Sequence, residues 1–211
     1  MKHFNNITTL IFDLGGVLIN LDLERCILNF KELGVVNIEQ KLSNYGQKGF
    51  FLQFEKGQIS IEEFREEIRK LANLPLTDTQ IDKAWSSFLC DIPNQKLEML
   101  LELKKKFRLL LLSNTNQLHI EVNVPLEFAK IGKDISEVFD KCYLSYEMGM
   151  TKPDADIFEA VLADVKVQPE ECLFLDDGFK NIEQAHKMNF QTYLVKANED
   201  LSFLLQPETW I

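Results

Sequence analysis

Leu10-Ile11-Phe12-Asp13-Leu14-Gly15-Gly16-Val17-Leu18 is the stretch that decides the architecture. From Thr8 to Phe12 the residues are apolar without polar alternation. That is the pattern of a strand buried on both faces of a helix-covered parallel sheet. The run stops at an aspartate followed by two glycines. A carboxylate at the carboxyl end of such a strand, with a glycine turn carrying the backbone away, stands where open α/β sheets bind ligands. By itself the stretch equally fits a strand that ends in a solvated aspartate turn.

Beyond the glycine turn the pattern changes to helical and stays so to about Cys90. Asp22 to Leu33 carries Leu23, Ile27, Leu28 and Phe30 at helical spacing, and Gly49 to Lys56 forms a second segment stopped by Gly57. Ser60 and Glu63 form a capping box that opens a third, with Phe64, Ile68 and Leu71 as its stripe. Thr77 or Asp78 caps a fourth carrying Ile81, Ala84, Trp85 and Phe88. Phe50, Phe51, Phe54 and Phe64 read as the core of this bundle. The expected organisation is an α/β core of residues 1–20 and 91–211 with a helical cap domain, residues 21–90, inserted between. Hinges are expected near Ile19-Asn20-Leu21 and Asp91-Ile92-Pro93.

After the insert, strands and helices alternate. Asn94–Lys106 reads as a helix whose lysines complement its C-terminal dipole, and Phe107–Leu112 as a strand running into Ser113-Asn114. Lys141–Ser145 is a strand, followed by Lys152-Pro153-Asp154 and a helix over Ala155–Val165. Glu171–Leu175 is a strand leading to Asp176-Asp177-Gly178, then come a helix through Asn181 and Ala185 and a last strand over Gln191–Val195. The fold class is therefore α/β, a doubly wound parallel sheet. On such a sheet the strand ends converge. Asp13, Ser113-Asn114, Lys152 and Asp176-Asp177 are brought to one crevice, a combination no single motif would establish.

Composition narrows the partners. The chain has 211 residues, 45% hydrophobic with sixteen Phe, enough for a substantial core, and a net charge of −10 with no basic run. That balance argues against nucleic acid and anionic membranes as partners. No stretch approaches the roughly 20 apolar residues of a membrane span, and the N-terminus has no signal-peptide form, so a cytoplasmic location is expected. Cys26, Cys90, Cys142 and Cys172 are scattered without a CxxC, as free thiols in a reducing compartment would be. A monomer or weak dimer is expected.

The motifs Phe12-Asp13-Leu14-Gly15-Gly16-Val17-Leu18, Leu112-Ser113-Asn114-Thr115, Met148-Gly149-Met150-Thr151-Lys152-Pro153-Asp154 and Phe174-Leu175-Asp176-Asp177 together resemble the haloacid dehalogenase-like (HAD) superfamily over nearly the whole chain. The wording is most similar to the branch of glucose-1-phosphate phosphatase-like proteins and the phosphatase domain of soluble epoxide hydrolases, and Phe54-Glu55-Lys56-Gly57-Gln58-Ile59-Ser60 shares that likeness. The resemblance implies a Mg²⁺-dependent phosphatase acting on a small phosphorylated metabolite, such as an anomeric sugar phosphate. Asp13 would be the nucleophile that forms an aspartyl-phosphate. Asp13, the Gly15 carbonyl and Asp177 would hold Mg²⁺, with Asp176 on a metal water or behind the ligands. Ser113 with the backbone N–H groups of Leu14 and Asn114 would bind phosphoryl oxygens, and Lys152 would neutralise the transferring group.

One departure stands out. Phosphatases of this superfamily commonly carry an acid/base aspartate two residues after the nucleophile, and here that position is Gly15. A missing positioned acid typically costs about 10²–10⁴-fold in rate, least where the leaving group is already good. Slow turnover or selectivity for anomeric or acyl phosphates is therefore expected. Two other classes share the motifs: a catalytically weak binding or sensor protein, and a haloacid dehalogenase, which also lacks that second aspartate. The insert is expected to close over the crevice and exclude water. Asn20, Asp22 and Gln47 are its polar candidates for substrate contact, alongside a plainer reading as caps or surface residues. His119 reads as a helix-surface histidine, and neither His3 nor His186 finds a role.

Overall fold

A computed structural model describes residues 3–43 and 49–210; Gln47 therefore lies outside the described residues. Five strands form one all-parallel sheet: β1 (Thr9–Phe12), β2 (Arg108–Ser113), β3 (Lys141–Leu144), β4 (Cys172–Asp176) and β5 (Gln191–Leu194), in the order β3-β2-β1-β4-β5. Ser113 and Asp176 thus end their strands rather than begin the loops after them. The register sets Phe12 beside Leu111 on one side and Leu175 on the other. The order reverses between β1 and β4, which makes the gap beyond their carboxyl ends the switch point of the sheet.

The absence of polar alternation in β1, β2 and β4 follows from burial on both faces. Leu10, Phe12, Leu109, Leu111, Leu173 and Leu175 point to a core shared with Leu97 and Leu100 of α6 (Asn94–Leu103) and Phe128 of α7 (Val124–Ala129). Ile11, Leu110, Leu112 and Phe174 point the opposite way, onto Ile157, Phe158 and Val161 of α10 (Ala155–Val165) and Ala185 of α11 (Phe179–Lys187). Two short helices, α8 (Ile135–Val138) and α9 (Ser145–Met148), flank β3. Helix α6 stops at Leu103, so the lysine run falls just past its last turn, where Lys104 donates to the Val138 carbonyl at 3.0 Å. The C-terminal segment, patternless in sequence, closes the far end of the sheet: the Trp210 ring lies 4.6 Å from Phe107 and 6.1 Å from Phe4.

Between β1 and α6 lie α1 (Leu23–Glu32), α2 (Ile38–Ser43), α3 (Gly49–Glu55), α4 (Ile61–Ala72) and α5 (Asp78–Ser86). The expected capping box of Ser60 with Glu63 forms on α4, and of the two cap candidates for α5 it is Thr77 that caps, in a second box with Gln80. The bundle has an aromatic core of its own, with Phe54 stacked on Phe64 at 4.4 Å and Trp85 5.4 Å from Phe64. Each such fully buried ring contributes about 1.5–3 kcal/mol of transfer free energy. The two connecting segments run side by side: Leu21 bridges Leu89, the Cys90 N–H donates to the Asn20 carbonyl, and the Asn20 N–H donates to the Asp91 carbonyl across this neck. Asn20 Nδ2 reaches Asp91 and Asp22 caps α1, so both polar candidates are spent on local structure. No helix among the described residues is long and apolar enough to cross a membrane.

His119 corrects the surface expectation. It begins a π-helical turn (His119–Asn123) after β2 and is 3% exposed, stacked on Trp85 at 4.9 Å with the rings 13° apart. Leu118 beside it is part of the insert's own apolar cluster. A helix-surface reading failed because the face of this turn that would meet solvent is covered by α5. Burial depresses the His119 imidazole to about pH 4 against 6.5 for the free group. A depressed histidine stabilises the fold fully above about pH 6.5, and that contribution is lost as pH falls towards 4, up to about 3 kcal/mol. Urea unfolding at pH 7 and pH 5 should therefore show a smaller acid loss in His119→Gln than in the wild-type chain.

Candidate active site

The strand ends do converge. Asp13 follows β1 directly, its N–H bonded to the Leu175 carbonyl of β4 at 2.9 Å. Its Oδ1 accepts from the Leu14 N–H at 2.7 Å and pairs with Lys152 Nζ at 2.9 Å. The Lys152 ammonium donates further to Asp176 Oδ2 at 2.6 Å and to the Leu112 carbonyl at 2.8 Å, which uses all three of its protons. Lys152 is 4% exposed and Asp176 fully buried, so this is a desolvated carboxylate–ammonium–carboxylate bridge across β1, β2 and β4. The coupled charges show in the titration of the nucleophile candidate. Burial pushes Asp13 up to about 7, against the pull of Lys152 and with a further push from Asp176 and Asp177.

Asp176 and Asp177 are adjacent but differently held. Asp176 Oδ1 accepts from the Gly178 N–H at 2.7 Å and from Asn181 Nδ2 at 2.9 Å, so with Lys152 it has three protein donors. Asp177 is exposed at the mouth, and burial and the neighbouring Asp176 raise its carboxyl above the usual range. Gly16 has φ +71, and a Cβ there would collide with Asp177 Oδ2. Only glycine lets the turn after Asp13 and the acidic pair approach so closely. One oxygen from each of Asp13, Asp176 and Asp177 falls within a 4.8 Å cluster, an all-oxygen donor set suited to a hard divalent cation.

Ser113 closes β2, buried beside this bridge. The Asn114 side chain is a clamp: Oδ1 accepts the Lys152 N–H and Nδ2 donates to the Lys152 carbonyl, both at 2.8 Å. The Leu14 N–H is turned onto Asp13. Gly15 opens a tight turn bridged to Ile19. A Cβ at Gly15 would stand 3.3 Å from Leu21 Cδ1, so the room an acid side chain would need is bordered by an apolar one.

The profile of haloacid dehalogenase-like hydrolases matches residues 7–189. The chain belongs to that family. Over 194 residues it is 36% identical to the D-ribitol-5-phosphate phosphatase of Bacteroides thetaiotaomicron, covering 92% of this chain and 94% of that protein. A crystal structure of a HAD family enzyme from the same organism, in complex with magnesium and inorganic phosphate, superposes with a TM-score of 0.87 at 46% identity, over 95% of this chain and all of that one. A HAD-like hydrolase structure from Porphyromonas gingivalis is similar at TM-score 0.88 and 39% identity, covering 95% and 98% of the two chains.

Asn181 and Gly16 are the site residues that motif reading missed. An asparagine in the first turn of a helix after an acidic pair is the available signal for the former; the latter has none beyond its place in the Gly-Gly turn. In this hydrolase the two bridged groups differ in what their removal leaves behind. Lys152→Met strands a buried Asp176 carboxylate and should cost about 3–5 kcal/mol in urea unfolding. Asp13→Asn removes a charge that burial already disfavours and should leave stability equal or slightly higher.

Proposed function

We propose that this hydrolase is a Mg²⁺-dependent phosphatase of small phosphorylated sugars or sugar alcohols, working through an aspartyl-phosphate on Asp13. The observation that carries the reading is the buried bridge from Asp13 through Lys152 to Asp176, with Asp177 completing an oxygen cluster at the switch point. A carboxylate can attack a phosphate dianion only if the repulsion between them is cancelled. Lys152 supplies one cation. The all-oxygen cluster fits a second, and Asp13, the Gly15 carbonyl and Asp177 would hold it, with Asp176 saturated by protein donors and acting behind them. Bound Mg²⁺ would supply charge neutralisation for the transferring group. The Bacteroides enzyme crystallised in complex with magnesium and inorganic phosphate supports a metal and phosphate site in this fold.

The protein's own part is orientation. Lys152 and the Leu14 N–H fix Asp13 Oδ1, so the carboxylate is set before substrate arrives. Attack forms the acyl phosphate and releases the alcohol, and water then attacks phosphorus and regenerates Asp13. Ser113 is placed to donate to a phosphoryl oxygen, with the Asn114 N–H beside it. With glycine at position 15, no side chain there protonates the departing oxygen, so turnover should rise with leaving-group acidity. The helices of residues 21–90 act as the cap of this crevice. The D-ribitol-5-phosphate activity of the Bacteroides relative makes acyclic polyol phosphates the first substrates to try.

Phosphate release should be measured from D-ribitol 5-phosphate, glucose 1-phosphate and acetyl phosphate, with Mg²⁺ and with EDTA. Release that needs Mg²⁺, is fastest from the best leaving group and vanishes in Asp13→Asn is the expected result. No release from any ester, or chloride release from 2-chloropropionate in EDTA, would refute the proposal.

A further inference from the structure

The loop that leaves β2 with Ser113 and Asn114 continues into two residues whose bonds lead towards the helical insert. Thr115 donates its N–H to Ser145 Oγ at 2.9 Å, and that hydroxyl has two carbonyls within donating reach, Glu55 at the end of α3 at 2.6 Å and Thr115 itself at 3.0 Å. Ser145 is fully buried and starts α9, so one hydroxyl joins β3, the β2 loop and the insert. Gly57, two residues after Glu55 with φ +61, lies against the Tyr146 carbonyl so closely that a Cβ would collide with it.

The second tie is independent of the first. Asn116 is fully buried. Its Oδ1 accepts from the His119 N–H at 3.1 Å and from Trp85 Nε1 of α5 at 3.4 Å. Its Nδ2 donates to His119 Nδ1 at 3.1 Å, and that tautomer leaves Nε2–H to donate to the Trp85 carbonyl at 3.4 Å. The amide thus fills both acceptor sites and one donor only while Trp85 and His119 keep their places. Leu118 between them sits in the insert's aromatic core.

We infer that Ser145 and the Trp85–Asn116–His119 network are positioning elements through which the helical insert sets the loop carrying Ser113 and Asn114. The inference rests on the phosphatase reading for what that loop binds. The physical reason is shared contact: Thr115 is held by Ser145, which also reaches the end of α3, and Asn116 by Trp85 of α5, so a shift of this loop breaks buried hydrogen bonds. Insert and phosphoryl subsite then behave as one unit, and the insert is docked on the core at these two points rather than free on its neck.

Ser145→Ala and Trp85→Phe each remove one tie while keeping most of the side-chain volume. With Mg²⁺ present, orthophosphate affinity by calorimetry should weaken about 5- to 10-fold in each, the scale of one lost hydrogen bond, with KM raised by a similar factor and kcat changed less. Amide exchange of the peptide spanning residues 113–118 should quicken about fivefold or more in both variants, with α10 unchanged. Variants that lose melting temperature but keep wild-type orthophosphate affinity and wild-type exchange in that peptide would overturn the inference. A wild-type chain that binds no orthophosphate would refute the phosphatase reading instead, and the exchange measurement would still decide the coupling.

Discussion

Everything at the crevice depends on one ammonium. Lys152 Nζ, buried and with all three protons committed, holds Asp13 on one side and Asp176 on the other and anchors both to the Leu112 carbonyl. A desolvated ion triad of this kind gains little net stability over apolar packing, and removing its ammonium leaves buried carboxylate charge uncompensated. Its presence at a sheet's switch point is therefore explained by chemistry rather than by folding. Lys152 is itself held by a clamp: the Asn114 side chain bonds both its backbone N–H and its carbonyl, so the β2 loop and the lysine loop cannot move apart. Burial, added to by the neighbouring Asp176 and Asp177, keeps Asp13 reluctant to ionise, the condition that added positive charge relieves.

Gly15 and Gly16 do opposite things to the site. Gly16 is required by geometry, since its positive φ and missing side chain admit Asp177 against the nucleophile turn. Gly15 has no such constraint on its backbone; what it lacks is function. Leu21, at the start of the insert's neck, borders the space beside it, so the place of an acid/base group is walled by an apolar one. A site with strong charge neutralisation and no side-chain acid at that position favours leaving groups that depart as weak bases.

The sheet was legible because burial on both faces writes itself as unbroken apolar runs at Thr8–Phe12 and Phe107–Leu112, and because each run ends in a polar cluster. The convergence of Asp13, Ser113, Lys152 and Asp176 followed from parallel topology alone. Three things escaped. The segment from Gln117 to Asp140 has no clean period, since its π-helical turn and short helices pack against both the sheet and the insert. Trp210 and Phe203 bury a tail whose apolar residues are too sparse to show a pattern. The division of labour between Asp176 and Asp177 depends on Asn181 and Gly178, whose donation to Asp176 is a matter of the turn's shape and not of residue type.

His119 shows why long-range burial is the hardest thing to read. Two positions to either side of it stand polar residues, Gln117 and Glu121, and those two bond each other at the surface as a helical pair should. The imidazole between them faces the other way, onto an indole 34 positions earlier. A bundle inserted into an α/β core must cover its underside with something, and here the core lends it Leu118 and His119. The boundary between insert and core that a residue count would draw at the neck is thus not the boundary of packing: the insert's hydrophobic cluster reaches into the loop that follows the catalytic sheet's second strand. The insert's own core thus includes Leu118, five residues after Ser113 on the chain.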